Sequence, residues 1–250
     1  VNAGVTLSGN IDTRFDNDIV ILQANAVVGG NILLGENDDS LTLTAGSQVG
    51  GSVSGESGNE TFTLTGAGTV SASIDGGTGT DQFNLVGAVL VGGALGGGAD
   101  ADTLTIDGSL ATTLVIDQVS SGTLSNRGGA RFSAIEDIQT GDSVADTFQF
   151  EDTGSLDGVT IDAGTGAGDQ IIGRNLDDQF LVDTTNGGTL TVGATTTSFT
   201  DVESLDGRRG VDTFTFTATG VLSGVLDGGD DSDVLIGSDM ILWFFGAEFI

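Results

Sequence analysis

The chain has 250 residues, 43 of them Gly, and it contains no Pro, Cys, His or Tyr. Six basic residues, all Arg, stand against 36 Asp plus Glu, for a formal charge of -30. These counts exclude disulfides and Cys/His zinc sites and leave no His or Lys for acid–base or Schiff-base chemistry. They also argue against nucleic acid and anionic membrane surfaces, both of which require a basic footprint.

High charge and abundant Gly favour disorder, but 38% of the residues are hydrophobic and they recur at fixed intervals. The start, Val1-Asn2-Ala3-Gly4, lacks the features of a signal peptide, so the chain reads as processed or as a piece of something longer. From there to residue 106 the dominant signal is an internal repeat. Asp18, Asp39, Glu60, Asp81 and Asp102 recur at a constant interval of twenty-one positions. Apolar columns follow in the same register: Val20/Leu41/Phe62/Phe83/Leu104, Leu22/Leu43/Leu64/Leu85/Ile106, Val28/Val49/Val70/Val91 and Ile32/Val53/Ile74/Leu95/Ile116.

Each unit holds two stretches in which apolar and polar residues alternate, such as Leu41-Thr42-Leu43 and Val49 to Val53. Alternation is the signature of a half-buried strand, and the Gly-, Asn- and Asp-rich segments between suit turns with positive φ. One unit is too short to bury a core alone. Stacked units bury the columns as ladders, which predicts an all-β, single-chain β-solenoid, a right-handed parallel β-helix of about 11–12 coils of 19–24 residues.

Beyond residue 106 the theme continues with other spacings. Anchors fall at Gly122, Asp146, Asp169, Gly188, Asp212 and Asp233. Gly122-Thr-Leu, Phe132-x-x-Ile135-Glu136 and Asp146-Thr-Phe148 return at a near-constant offset as Gly188-Thr-Leu, Phe199-x-x-Val202-Glu203 and Asp212-Thr-Phe214. The expected organisation is therefore a regular solenoid over 1–106 and its continuation over 107–250, built on a longer, ~66-residue three-coil unit. The tail from Met240 to Ile250 carries the single Met and single Trp and departs from the repeat. It reads either as the start of a further unit or as a hydrophobic cap. Its longest apolar run, Met240 to Ala247, is well short of the ~20 residues that a membrane helix needs, so no membrane insertion is expected.

The phrases Phe132-x-x-Ile135-Glu136, Asp146-Thr-Phe148, Gly154-Ser-Leu156-x-Gly158 and Asp162-Ala-Gly164-Thr-Gly166 resemble the repeat arrays of large secreted bacterial surface proteins, the haemagglutinin-like adhesins and autotransporter passengers. So do first-half units such as Glu60-Thr-Phe-Thr-Leu with Ile74-Asp75-Gly76-Gly77. The resemblance implies a right-handed β-helix, secreted and carried on the cell surface, with surface glycans or host and cell receptors as partners. Gly76-Gly77-Thr78-Gly79-Thr80-Asp81-Gln82-Phe83 also fits the G-G-x-G-x-D-x-apolar nonapeptide of RTX proteins, and Gly228 to Leu235 is a degenerate copy. In the RTX roll such turns follow in tandem and share each calcium ion. Here the motif returns once per coil.

In-register stacking would place Asp18, Asp39, Glu60, Asp81 and Asp102 in one column, ~5 Å apart. Like charges at that spacing repel by ~1 kcal/mol per pair in water. Calcium held by these five, with Asp231 and Asp233 at the second motif, would relieve the repulsion. Turn carbonyls and Asn37, Asp38, Asn59 and Asp100 would complete its shell. The other reading is an exposed ladder in which each acid bonds its own turn's N–H groups.

The remaining features read as structural. With 36 acids some carboxylate pair, such as Asp177 and Asp178, is inevitable, so the glycosidase pattern carries little information. Arg127, Arg131, Arg208 and Arg209 read as partners of nearby acids. Thr-x-Thr pairs at Thr42/Thr44, Thr61/Thr63, Thr103/Thr105 and Thr213/Thr215 suggest an ice-binding face, but Gln82/Asn84 and Gln149/Glu151 interrupt the series. The expected function is an extracellular structural or adhesive stalk or filament subunit, not an enzyme. Its ends would associate with other copies or with neighbouring repeats of a parent protein. Carbohydrate-binding, carbohydrate-cleaving and ice-binding solenoids are the alternatives.

Overall fold

In the computed structural model, residues 1–107, 110–125, 127–141, 144–238 and the backbone of 243–245 are described. They contain strands, turns and bends and no helix, and the fold is a β-solenoid of about 11 turns. Two compact units interleave in sequence: one comprises 1–110 and 123–138, the other 111–122 and 139–250.

The first unit is built from coils with three strands each. One sheet stacks Thr6–Leu7, Val27–Val28, Gln48–Val49, Thr69–Val70 and Leu90–Val91, all parallel. A second stacks Ile11–Asp12, Ile32–Glu36, Val53–Ser57, Ile74–Thr78, Ala94–Ala99 and Ala130–Ser133. A third stacks Ile19–Leu22, Ser40–Leu43, Thr61–Thr65, Gln82–Val86 and Thr103–Ile106. Register pairs lie one repeat apart, as in Phe62↔Phe83 and Phe83↔Leu104, so the sequence columns become ladders. Leu41, Phe62, Phe83, Leu104, Val28, Val49, Val70 and Ile32 are fully buried. The Phe62 and Phe83 rings stack at 5.0 Å and 13°, a geometry worth ~0.5–1.5 kcal/mol beyond the area buried. Outward positions of the third sheet are Ser40, Thr42, Thr61, Thr63, Gln82, Asn84, Thr103 and Thr105.

One column ends differently from the sequence expectation. Leu95 pairs with Phe132, not with Ile116. Ile116 belongs to the second unit and pairs with Phe150. Counting one repeat onward from Leu95 lands in a segment that belongs to the other compact unit.

In the second unit Thr113–Gln118, Thr147–Phe150, Gln170–Ile172, Ser204–Asp206 and Leu226–Asp227 form a parallel run. Gln179–Thr184, Thr213–Phe216 and Asp233–Gly237 form another, with Phe180 and Phe214 stacked at 4.9 Å and 6°. The strand Gly187–Val192 is antiparallel to both Gln179–Thr184 and Thr195–Thr200. The anchor Gly188 therefore lies inside a hairpin excursion and does not open a coil. Asn186, at φ 54°, provides the left-handed residue that a tight reversal requires. Of the tail, Trp243–Phe245 runs antiparallel along Asp233–Gly237 and covers that strand's outer edge. The other residues from Met240 to Ile250 lie outside the described residues.

Candidate functional site

The acidic column forms, and it lies inside the coils. Asp39, Glu60, Asp81 and Asp102 are buried, with 0–3% of their surface exposed, while Asp18 in the first coil is half-buried. The column is organised by backbone N–H groups reaching across coils. The Asp18 N–H donates to Asp39 Oδ1 at 2.6 Å, the Glu60 N–H to Asp81 Oδ1 at 2.7 Å and the Asp81 N–H to Asp102 Oδ1 at 2.8 Å. The Asp102 N–H then donates to Glu136 Oε2 at 2.9 Å, 34 residues on. A carboxylate thus accepts the N–H of the acidic residue one coil before it, rather than those of its own turn.

The second unit repeats this arrangement. The Thr112 N–H donates to Asp146 Oδ1 at 2.5 Å, the Asp146 N–H to Asp169 Oδ1 at 2.6 Å and the Asp169 N–H to Glu203 Oε2 at 2.9 Å. A separate run links Asp178, Asp212 and Asp233 through N–H to Oδ1 bonds of 2.7 and 3.0 Å. Glu136, Asp146, Asp169, Asp178, Glu203 and Asp212 join the site without being among the residues that the 21-residue spacing points to. The signal was present in the offset of the three-coil unit, which relates Asp102 to Asp169, Glu136 to Glu203 and Asp146 to Asp212.

The second oxygen of Glu60, Asp81, Asp102 and Asp212 faces glycine. A methyl group added at Gly76 would lie 2.1 Å from Asp81 Oδ2, at Gly97 2.4 Å from Asp102 Oδ2, at Gly55 2.6 Å from Glu60 Oε2 and at Gly207 2.3 Å from Asp212 Oδ2. Each of these glycines stands five positions before its acid, which gives the G-G-x-G-x-D phrase its structural meaning: at these coils a Cβ would collide with the inward carboxyl. Oδ2 of Asp39, Asp102, Asp169, Asp212 and Asp233 receives no hydrogen bond. Neither oxygen of Glu60 makes a well-formed hydrogen bond to an N–H or hydroxyl group; a weak interaction with the Asp39 N–H lowers its proton affinity, while contact with the Asp81 carboxyl raises it. That contact is attractive only when one of the pair holds a proton.

Burial in this setting disfavours the charged form. Glu60 is pushed up to about 8, first by burial, then by the charge of Asp81 and the carboxyl–carboxyl contact, with the charge of Asp39 adding further. Burial, against the N–H of Asp178, raises Asp212 to about 7. Asp102 and Asp169 rise to about 6 for the same leading reason. Asp39, Asp81 and Asp233 shift upward too, with burial first among the causes. Asp178 also moves upward through burial, opposed by Arg174. The Arg174 guanidinium donates Nε to Asp178 Oδ1 at 2.8 Å, and its backbone N–H reaches Oδ2 at 2.7 Å.

The other predicted ligands lie on the turn exteriors. Asp231 is exposed, at φ 81°, and its Oδ2 accepts the Gly210 N–H at 3.3 Å. Asn37 Oδ1 accepts the Asp16 N–H at 3.3 Å, Asp38 Oδ1 the Asn59 N–H at 2.9 Å and Asn59 Oδ1 the Thr80 N–H at 2.8 Å. These side chains make an outer polar ladder, distinct from the buried one. Among the described residues no three acidic groups converge on a point that a metal ion could occupy.

The second unit also carries an open polar concavity of about 600 Å³, lined by Asn175, Asp206, Arg208, Arg209, Asp227 and Asp230. Its acids are engaged locally: Asp206 Oδ1 accepts the Arg208 N–H at 2.8 Å, Asp227 Oδ1 the Gly229 N–H at 3.0 Å, and Asp230 pairs with Arg209 at 3.3 Å. Arg208 lies 3.8 Å from Glu151. In the first unit, Arg127 donates to the Asp107 carbonyl and Arg131 to the Thr123 hydroxyl.

No family model matches the chain, and comparison with curated proteins and with solved structures returns no match.

Proposed function

We propose that this solenoid is a structural element of the secreted, cell-surface kind, a spacer, stalk or filament subunit without catalytic chemistry of its own. The observation that carries this reading is where the acids go. The buried carboxyls accept N–H groups from the preceding coil, and at the open concavity Asp206 and Asp227 bond their own turns while Asp230 pairs with Arg209. They serve to join coil to coil instead of facing a substrate. Further coils are the natural partners, from a second copy or from neighbouring repeats of a parent protein. The first-coil strands Thr6–Leu7, Ile11–Asp12 and Ile19–Leu22 lie at the edges of their sheets, and an uncovered edge is a template for another strand. Head-to-tail stacking of this type does not close and gives filaments.

The structural reading is tested by light scattering at rising concentration together with electron microscopy of the purified chain. Concentration-dependent assemblies are expected. A strictly monomeric chain that releases reducing ends from a panel of polysaccharides would replace the stalk with a carbohydrate-cleaving enzyme.

A further inference from the structure

The buried ladder has more acceptors than donors. Asp39, Asp102, Asp169, Asp212 and Asp233 each present a buried oxygen with no donor, and Glu60 presents two. These atoms would be costly if all the carboxyls were charged, since an unpaired buried carboxylate is among the most expensive groups in a core. The neighbouring Glu60 and Asp81 carboxyls attract one another only with a hydrogen between them. The charged groups that face them add no relief. Glu60 faces Asp39 and Asp81; Asp81 faces Asp75; Asp102 faces Asp81, Glu136 and Asp100. In the second unit Asp169 faces Glu203, Asp146 and Asp201, and Asp212 faces Asp178, Asp233 and Asp177. Arg174 is committed to Asp178 through two of its nitrogens.

We infer that the ladder is a proton-binding element, so that the solenoid takes up protons when it folds and loosens as the pH rises through neutrality. The inference rests on the fold alone and stands whether or not the chain is a stalk. A proton on the second oxygen turns a repelling pair of carboxylates into a hydrogen-bonded one and makes the carboxyl a neutral core group. It leaves the first oxygen free to accept the N–H from the preceding coil.

The direction of the pH dependence follows from the shifts. The folded chain holds these protons more tightly than the unfolded chain, whose acids titrate at ordinary carboxylate values. The resulting stabilisation is complete below that range. It is lost as the pH rises through the folded values, about 6 for Asp102 and Asp169, about 7 for Asp212 and about 8 for Glu60. Between its unfolded and folded values each such group lowers the folding equilibrium constant about tenfold per pH unit. A solenoid of this kind is most stable in mild acid, the reverse of a protein whose carboxylates are held ionised by salt bridges.

The test is equilibrium unfolding in urea at constant ionic strength, followed by circular dichroism from about pH 5 to about pH 8, with proton uptake on refolding read by an indicator dye in weak buffer. The midpoint is expected to fall steeply with pH, and refolding near pH 7 to withdraw protons from solution. Infrared spectra of the folded chain at that pH should show the carbonyl stretch of protonated carboxyl groups. Glu60→Gln keeps the shape and needs no proton, so it should match the parent in acid, exceed it at about pH 8 and take up fewer protons. The parent measurements stand by themselves if this variant fails to fold. A midpoint that is flat or rises over this range, or refolding without proton uptake, overturns the inference. So does calcium chloride that stabilises the chain at about pH 8 well beyond an ionic-strength-matched sodium salt while expelling protons, which would assign the column to the metal.

Discussion

Two glycines on neighbouring coils make a matched pair for testing whether the inward carboxyl dictates the sequence around it. Gly76 points inward, and a Cβ there would lie 2.1 Å from Asp81 Oδ2 and 2.5 Å from the Gly97 carbonyl oxygen. Gly96 sits in the next strand of the same sheet, where a Cβ would meet only Asp75 Oδ1, at 3.4 Å. Neither has positive φ, so alanine is conformationally allowed at both. At Gly96, removal of backbone freedom from the unfolded chain should stabilise by about 0.5–1 kcal/mol. At Gly76 the methyl group must displace backbone or expel a carboxyl that the Glu60 N–H pins at 2.7 Å. Overpacking costs ~1–3 kcal/mol, and losing a hydrogen bond to a buried carboxyl adds ~1.5 kcal/mol or more. Gly76→Ala is thus expected to be less stable than Gly96→Ala by about 4 kcal/mol, summing these terms. Urea unfolding of the two variants at one pH reads the difference directly. Equal midpoints would refute the claim that the glycine five positions before Asp81 is there to seat its carboxyl.

Two further outcomes follow from the packing. Phe83→Ala removes a fully buried ring stacked on Phe62 and should cost ~3–5 kcal/mol in the same assay; a loss below ~1 kcal/mol would mean that the coils collapse around the gap. Arg174→Ala strips the guanidinium from fully buried Asp178. That loss should approach ~3 kcal/mol at about pH 8 and shrink in acid, where Asp178 can take a proton instead.

A regular repeat determines its own stacking, and this made the first unit legible. Each coil's neighbour carries the same pattern, so a column such as Leu41, Phe62 and Phe83 becomes a ladder once the strands pair in register. Alternation fixed which residues point inward, because a slip of one residue would turn the whole apolar set outward. The composition likewise foretold a fold held together without disulfides. What local pattern could not reach was decided where distant segments meet. The partner of Leu95 is Phe132 rather than Ile116, because residues 111–122 belong to the other compact unit. Glu136 and Glu203 enter the ladder 34 residues after their donors, and for Glu203 the intervening chain holds the Gly187–Val192 hairpin strand. The acids were visible as a column, but their place inside the coil was not. An acidic residue at a turn can face water or core; the N–H crossing from the preceding coil draws it inward, and at Glu60, Asp81, Asp102 and Asp212 a glycine leaves room for its second oxygen. Burial, a property of the assembled coils, then raises its proton affinity and turns a row of expected surface charges into part of the core.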